Sequence, residues 1–435
     1  MKEGHEQMAG SSRTFASFSV PNYALYFCGT LVSSLGLWMG RTAQDWMVLT
    51  QLTHHSSSAL GIVTGLQFLP VALLAPSAGA LADRWSKHRL LCLTKALLAA
   101  DALALWLLQV TGVIELWHVY VIATIQGAIT ALDNPVRQAF VPEMVPASLV
   151  PNAIGLNSAQ FNGARLLGPG LAGLLIAAAG VGPCLLVNAL SFLGVLGALF
   201  LMNRSRLTPA PVRRGGGAVR EGLAYVRHRP DILVPMVIVF MLGTFGMNYQ
   251  ITNALMATKV FGKGPGEYGL LGSVMAVGTL AAALLAARRS RPRLGILVVA
   301  LAAYSAFDFA LALAPNYVSY AVLLVPVGLC ALTVMTCANA TVQLACEPAV
   351  RGRVMALYMA IFLGGTPIGA PVIGWVGQWW GPRWTLLIGA IACALTVIGV
   401  LVFVRVHDRR TVTMTSAWPL RLGVRDLDDR TRTSS

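Results

Sequence analysis

Leu81-Ala-Asp-Arg-Trp-Ser-Lys-His-Arg-Leu90 recurs 204 residues later as Leu285-Ala-Ala-Arg-Arg-Ser-Arg-Pro-Arg-Leu294. Each copy is a short basic stretch between two long apolar runs. The register holds further along: Glu143 matches Glu347 at the same offset, and Pro169 lines up with Pro367 after a small deletion. One long hydrophilic interior stretch separates the copies, with Pro209, Pro211, Arg213, Arg214 and three glycines from Gly215 to Gly217. A repeat on this scale means two similar units in one chain, each several helices long.

The solvent of those units follows from composition. The 435 residues are 56% hydrophobic and 11% charged, with a mean hydropathy of +0.69. A soluble domain carries about 25% charged residues. The apolar residues lie in runs of roughly the 20 that span a bilayer, at 22–49, 58–82, 90–112, 116–133, 153–178, 183–203, 232–257, 267–287, 294–314, 317–342, 353–377 and 384–406. The expected fold is an all-α membrane protein of twelve transmembrane helices in two six-helix pseudo-symmetric bundles. Residues 1–21 form an N-terminal segment without a cleavable leader, 22–203 the first bundle, 204–231 a linker, 232–406 the second bundle and 407–435 a tail expected to be disordered.

Charge orients the bundles. Arg84, Lys87, Arg89, Arg137, Arg351, Arg353 and the basic residues of 204–229 and 288–293 fall in alternate loops, while the opposite loops hold little beyond Lys259, Lys263 and Arg383. The positive-inside tendency then puts both termini and the linker in the cytoplasm, with the chain in the inner (plasma) membrane. The net charge of +15 is thereby used in setting topology, and no nucleic-acid partner is implied. The seven cysteines lack any C-x-x-C pair and read as small packing residues. No nucleotide-binding, nucleophile-elbow or metal motif occurs, so no enzyme activity, cofactor or metal is expected.

The stretch Gly79-Ala-Leu-Ala-Asp83-Arg84-Trp-Ser-Lys87-His-Arg89 resembles the G-x-L-A-D-R-x-G-R-[RK] signature of the major facilitator superfamily, with Ser86 where glycine is preferred. Other features resemble the branch of enterobactin exporters and macrolide-efflux proteins: Gln44-Asp45-Trp46, Asp133-Asn-Pro135-x-Arg137, Asn162-x-x-Arg165-x-x-Gly168-Pro169, Arg220-Glu-Gly-x-x-Tyr225-Val-Arg, and Arg351-Gly-Arg-Val-Met355. The superfamily fold is itself the standard illustration of two repeated halves enclosing a site at the bilayer midplane. The resemblance implies a secondary carrier with a small-molecule substrate, working as a monomer.

Within that frame Gly79, Asp83, Arg84 and Lys87 would form a conformational latch. Asp83 would face the positive N-terminal end of the eleventh span near Arg351 and Arg353. Charges that merely set topology account for Lys87 and Arg89 equally well. The second copy has Ala287 where Asp83 stands, so the latch would be one-sided. In the fifth span Asn162, Gly168, Pro169 and Gly173 suit an interface between the halves, or ordinary tight packing.

Charges inside spans are candidates for function by default. Lys95 and Arg405 lie near helix ends and would snorkel outward. Arg41, Asp45, Asp101, Arg165 and Asp308 remain as proton-coupling candidates. Arg41 and Asp45, one turn apart, are able to pair; Asp101 and Arg165 lie at matching depth and are expected partners. At the repeat offset Arg41, Asp45 and Asp101 become Phe245, Tyr249 and Ser305. Proton coupling is therefore expected in the first half, led by Asp45. Gln126, Asn157, Asn248, Tyr249 and Asn339 are candidates for lining a substrate cavity. Together these readings point to a proton-coupled exporter of amphipathic drugs or siderophores by alternating access; an importer or facilitator of the same fold is the alternative.

Overall fold

The computed structural model describes residues 15–208, 225–227, 229–287, 294–347 and 350–407. Thirteen α-helices carry these residues, with no strand among them. Helices α1 (Pro21–Met47), α2 (Ser57–Arg84), α3 (Lys87–Val110), α4 (Leu116–Met144), α5 (Val150–Ala179) and α6 (Val181–Leu201) form the N-terminal set. Helices α7 (Pro230–Met241), α8 (Tyr249–Leu255), α9 (Pro265–Ala287), α10 (Leu294–Ala312), α11 (Tyr317–Ala345), α12 (Arg351–Trp379) and α13 (Pro382–His407) form the C-terminal set. Ten helical segments among the described residues are long and apolar enough to cross a membrane, α7 and α8 counting together as one broken pass over Pro230–Val260. The two long helices outside that group, α1 and α4, carry Arg41 and Asp45, and Asp133, Arg137 and Glu143.

Short connections make sequential helices antiparallel within each half, and the packing of α2 on α12 and of α5 on α9 sets the halves side by side, which brings residues 15 and 407 to one end of the bundle. That side is called the termini end below, and its opposite the far end. The outer surface is aliphatic, with Leu73, Leu174, Leu201 and Val322 exposed, as lipid contact requires. Trp375, Trp379, Trp380 and Trp384 gather at the far end, all exposed, with Trp380 in ring contact with Trp375 and Trp384, the placement that amphipathic indoles take at a membrane–water boundary.

Within the N-terminal set the tightest packings are α1 on α6 and α2 on α4; within the C-terminal set, α9 on α11 and α10 on both α11 and α13. Glycines allow the first of these: a Cβ on Gly29 would meet the Gly194 carbonyl oxygen at 2.7 Å and the Val195 Cα at 2.9 Å. Between the sets, α2 lies against α12 and α5 against α9. Both seams are made of small residues and proline. A Cβ on Gly61 would meet the Ala370 carbonyl oxygen at 2.5 Å, and one on Gly173 would meet the Pro265 carbonyl oxygen at 2.5 Å. Ser57 donates its backbone N–H to Gln378 Oε1 at 3.1 Å, and Gly170 donates its own to Ser273 Oγ at 3.1 Å. All these residues fall in the first half of α2 and α9 and the last half of α5 and α12, so the halves close on one another at the far end.

Two elements depart from the sequence expectation. The fourth span was expected to end near 133, but α4 continues through Pro135 and Pro142 to Met144, so Asp133 and Arg137 stand on a helix rather than in a loop. The seventh span is broken: a π-helical turn, Leu242–Gly246, gives way at Met247 and Asn248 before α8 begins. Asn248 Nδ2 donates to the Thr244 carbonyl at 2.8 Å, pairing a backbone oxygen beside the break. Residues 1–14, most of the linker, the basic stretch 288–293 and the tail beyond 407 lie outside the described residues.

Candidate functional site

Between the halves lies a cavity of about 420 Å³, lined by α1 to α6 on one side and by α8, α9, α11, α12 and the broken turn on the other. It reaches toward the termini end as far as Lys95 and Arg137. A smaller cavity of about 180 Å³ adjoins it toward the far end, sharing Trp38, Arg41, Phe68, Arg165, Met247 and Gln250.

The floor shared by the two cavities is built on the Trp38 indole. Arg41, three residues on in α1, places its guanidinium carbon 5.4 Å from the ring centroid, and Arg165 of α5 places its own at 5.9 Å. Arg41 also lies 6.0 Å from the Phe68 ring. Phe161 packs edge-on against Trp38 at 6.0 Å and carries Arg137 over its other contact at 6.0 Å. Gly168 makes room for the indole: a Cβ there would meet Trp38 Cβ at 2.5 Å. Cation–π contact holds a guanidinium without neutralising it.

Toward the termini end a second group forms around Asp133. Lys95 Nζ donates to Asp133 Oδ2 at 2.7 Å, Thr94 Oγ1 donates to Oδ1 at 2.8 Å, and Arg137 Nε lies 3.9 Å from Oδ2. Lys95 is 7% exposed and Asp133 5%. The expectation that Lys95 snorkels outward is corrected here: its carboxylate partner on the neighbouring helix holds it inside. The i, i+4 spacing of Asp133 and Arg137 was the readable signal for this site, obscured because the apolar run seemed to end at residue 133.

The other candidates fall as follows. Arg41 and Asp45 do not form an ion pair. Asp45 lines the smaller cavity, accepts a hydrogen bond from Tyr268 Oη of α9 at 3.4 Å, and is flanked by Trp46 stacked on that tyrosine at 5.8 Å. Asp101 and Arg165 do not pair either: Asp101 lies off the cavity with its Oδ2 buried and unbonded, and no described carboxylate forms an ion pair with Arg165. Depth matched, but helical azimuth did not. Asp308, 1% exposed, accepts from Tyr249 Oη at 2.7 Å, and that hydroxyl lies 2.8 Å from Tyr304 Oη, which donates to the Gly246 carbonyl at 2.7 Å.

Gln126, Asn157 and Asn248 line the large cavity; Tyr249 lines the smaller one. Asn339 does not reach either: its Oδ1 accepts from Gln343 Nε2 at 2.6 Å on its own helix. Gln160, a helical amide of the kind the sequence marks as able to line a cavity, bridges Thr30 and Ser34 at the cavity wall. In α5, Pro169 and Gly173 meet α9, whereas Gly168 packs on α1 and Asn162 bonds back to the Ser158 carbonyl at 2.8 Å, so neither belongs to the seam. Of the latch residues, the side chains of Gly79, Asp83 and Arg84 lie outside the described residues. Lys87 is bound within its own half, to Glu143 Oε1 at 2.6 Å, and Arg351 and Arg353 stand in the first turn of α12.

Comparison with known proteins places this arrangement. The chain is 27% identical over 266 residues to the staphyloferrin A transporter of Staphylococcus aureus, matching 60% of this chain and 65% of that protein. It is 25% identical over 397 residues to the multidrug efflux pump Tap of Mycolicibacterium fortuitum, matching 87% of this chain and 94% of the pump. The fold superposes on a bacterial homologue of the human lysosomal transporter Spinster, in an inward-facing and occupied conformation, with a TM-score of 0.71, 15% identity, and 89% and 97% of the two chains covered. Residues 12–431 match the family described as transmembrane secretion effector, and the chain is a member of that family of the major facilitator superfamily, a multi-pass protein of the plasma membrane.

Proposed function

We propose that the protein is a secondary transporter that exports amphipathic small molecules, drug or siderophore, by alternating access in exchange for protons. The observation that carries this reading is the cavity between two halves that close at the far end through glycine- and proline-lined seams. Such seams hold by close packing of small residues, so they can part without breaking ion pairs. The multidrug efflux pump among the relatives supports the outward direction, and the staphyloferrin A transporter supports a siderophore as one class of cargo. We place both termini in the cytoplasm on the basic-loop asymmetry, which makes the cavity cytoplasm-facing, ready to load cargo for export. Residues 22–203 and 232–406 are the two rocking bundles, and one chain supplies the whole path, so a monomer suffices.

Asp45 is the leading proton site. Its carboxylate lies in the smaller cavity and takes a hydrogen bond from the opposite half, so adding a proton changes a contact between the halves. Asp308 is the second candidate, with Asp101 behind it. Asp83 with Arg351 and Arg353 would latch the termini end when the far end opens.

Proteoliposomes of known orientation, loaded with staphyloferrin A, test the reading. Flux out of the cytoplasmic compartment that rises with an inward proton gradient is expected. Net uptake into that compartment would establish the importer instead, and gradient-independent equilibration a facilitator.

A further inference from the structure

We infer that the cargo is an anion: an amphipathic molecule whose carboxylate sits against the guanidiniums of Arg41 and Arg165, with its apolar body on Trp38 and Phe161. The inference deepens the transport reading and rests on it only for calling the bound molecule cargo.

Two like charges lie over one indole, at 5.4 and 5.9 Å, and neither is in an ion pair with a described carboxylate. In a medium of low dielectric their repulsion is strong, and each guanidinium demands a counter-charge. The other charges facing the two cavities do not supply enough. Lys95 and Arg137 are shared by the single carboxylate of Asp133. Asp45, one turn beyond Arg41, is the other acid and is engaged by Tyr268. Four cations and two carboxylates thus line the paired cavities, an excess of two positive charges.

The unpaired polar atoms point the same way. Of the buried, unbonded polar atoms on cavity-lining residues, Trp38 Nε1 and Arg41 Nε are donors at this floor and the Asn157 amide oxygen is an acceptor, while Tyr26 Oη lies toward the termini end, near Asp133 and Arg137. Unmet donors beside unmet cations are what a carboxylate satisfies, because its two oxygens accept a guanidinium's forked N–H groups. The aromatic rings between these groups suit the apolar part of the same molecule. A cationic drug would add a third uncompensated charge.

The test reads the cavity without a known cargo. Asn157→Cys and, separately, Ser34→Cys place a thiol on the cavity wall; reaction is measured in nanodiscs as the increment over the wild-type chain, which has seven free cysteines. The reagents are an anionic sulfonatoethyl and a cationic trimethylammonioethyl methanethiosulfonate, each rate normalised to a free thiol. A preference for the anionic reagent of roughly tenfold is expected, with protection by 2-naphthoate and none by 1-naphthylmethylammonium. Arg165→Gln and Arg41→Gln should each reduce the preference severalfold. Equal rates, a cationic preference, or protection by the ammonium compound would overturn the inference, as would a preference unchanged in both arginine variants. Both cysteine sites report in the native background, so a poorly folding arginine variant leaves the main comparison intact. Anionic preference without flux in proteoliposomes would sink the transport reading and leave anion binding standing; flux without it would do the reverse.

Discussion

Lys95 of α3 and Asp133 of α4 are joined at 2.7 Å inside the N-terminal half, with Thr94 on the second carboxylate oxygen. This ion pair borders the cavity on the side away from Arg41 and Arg165. Lys95 and Arg137 share that one carboxylate, whereas neither Arg41 nor Arg165 at the Trp38 floor is in an ion pair with a described carboxylate, and the pair ties α3 to α4 beside the path.

Removing one member of that pair strands the other in the membrane interior. Asp133→Asn or Lys95→Met is expected to destabilise the chain by about 3 kcal/mol, the scale for breaking a buried pair. The double variant Lys95→Met/Asp133→Leu should recover most of that loss. Thermal unfolding in a fixed detergent measures both.

The seams should respond to single methyl groups. Gly61→Ala would drive a Cβ to 2.5 Å from the Ala370 oxygen, and the halves must separate at the far end to relieve it. Gly163→Ala meets nothing within 4 Å and serves as the control. Accessibility of an engineered cysteine at Ser273, on the α5–α9 seam, should rise in the first variant and stay at the parental level in the second.

The contact between Asp45 and Tyr268 is small and separable from folding. Tyr268→Phe removes one hydrogen bond, about 1 kcal/mol, and should shift the balance between closed and open far ends about fivefold while the unfolding temperature barely moves. Asp45→Asn imitates the protonated acid and should abolish the dependence of flux on an imposed pH gradient, with binding of cargo retained.

Asp308 is buried on a chain of tyrosine hydroxyls. Tyr249→Phe takes away its donor and is expected to cost about 1–3 kcal/mol, more than Tyr268→Phe, because the Tyr249 hydroxyl lies 2.7 Å from Asp308 and 2.8 Å from Tyr304 whereas Tyr268 makes one bond of 3.4 Å. Denaturation of the two variants side by side checks the order.

The architecture was legible because bilayer chemistry writes itself in long apolar runs, and because the repeat of 81–90 in 285–294 marks two halves. Arg41 and Arg165 stood out as charges inside such runs. Their surroundings did not, since depth along a helix is readable and azimuth is not. Asp101 shares the depth of Arg165 yet faces away. Gly168 and Gly173, five residues apart, point about 140° apart on a helix of 3.6 residues per turn, so one packs on α1 and the other on α9. Lys95 near a helix end is indistinguishable in sequence from a snorkelling lysine until Asp133 is known to stand beside it. The latch at Asp83 lies outside the described side chains and stays a proposal.

Alternating access is tested most directly by distances at the two ends of the bundle. In a cysteine-replaced background, one spin-label pair at His54 and Trp379 reports the far end, and another at Trp85 and Leu344 the termini end; all four are exposed. On lowering the pH, or on substituting Asp45→Asn, the two distance distributions should change in opposite directions, one end shortening as the other lengthens. Distributions that stay fixed at both ends, or that move together, would contradict a rocking carrier gated by Asp45.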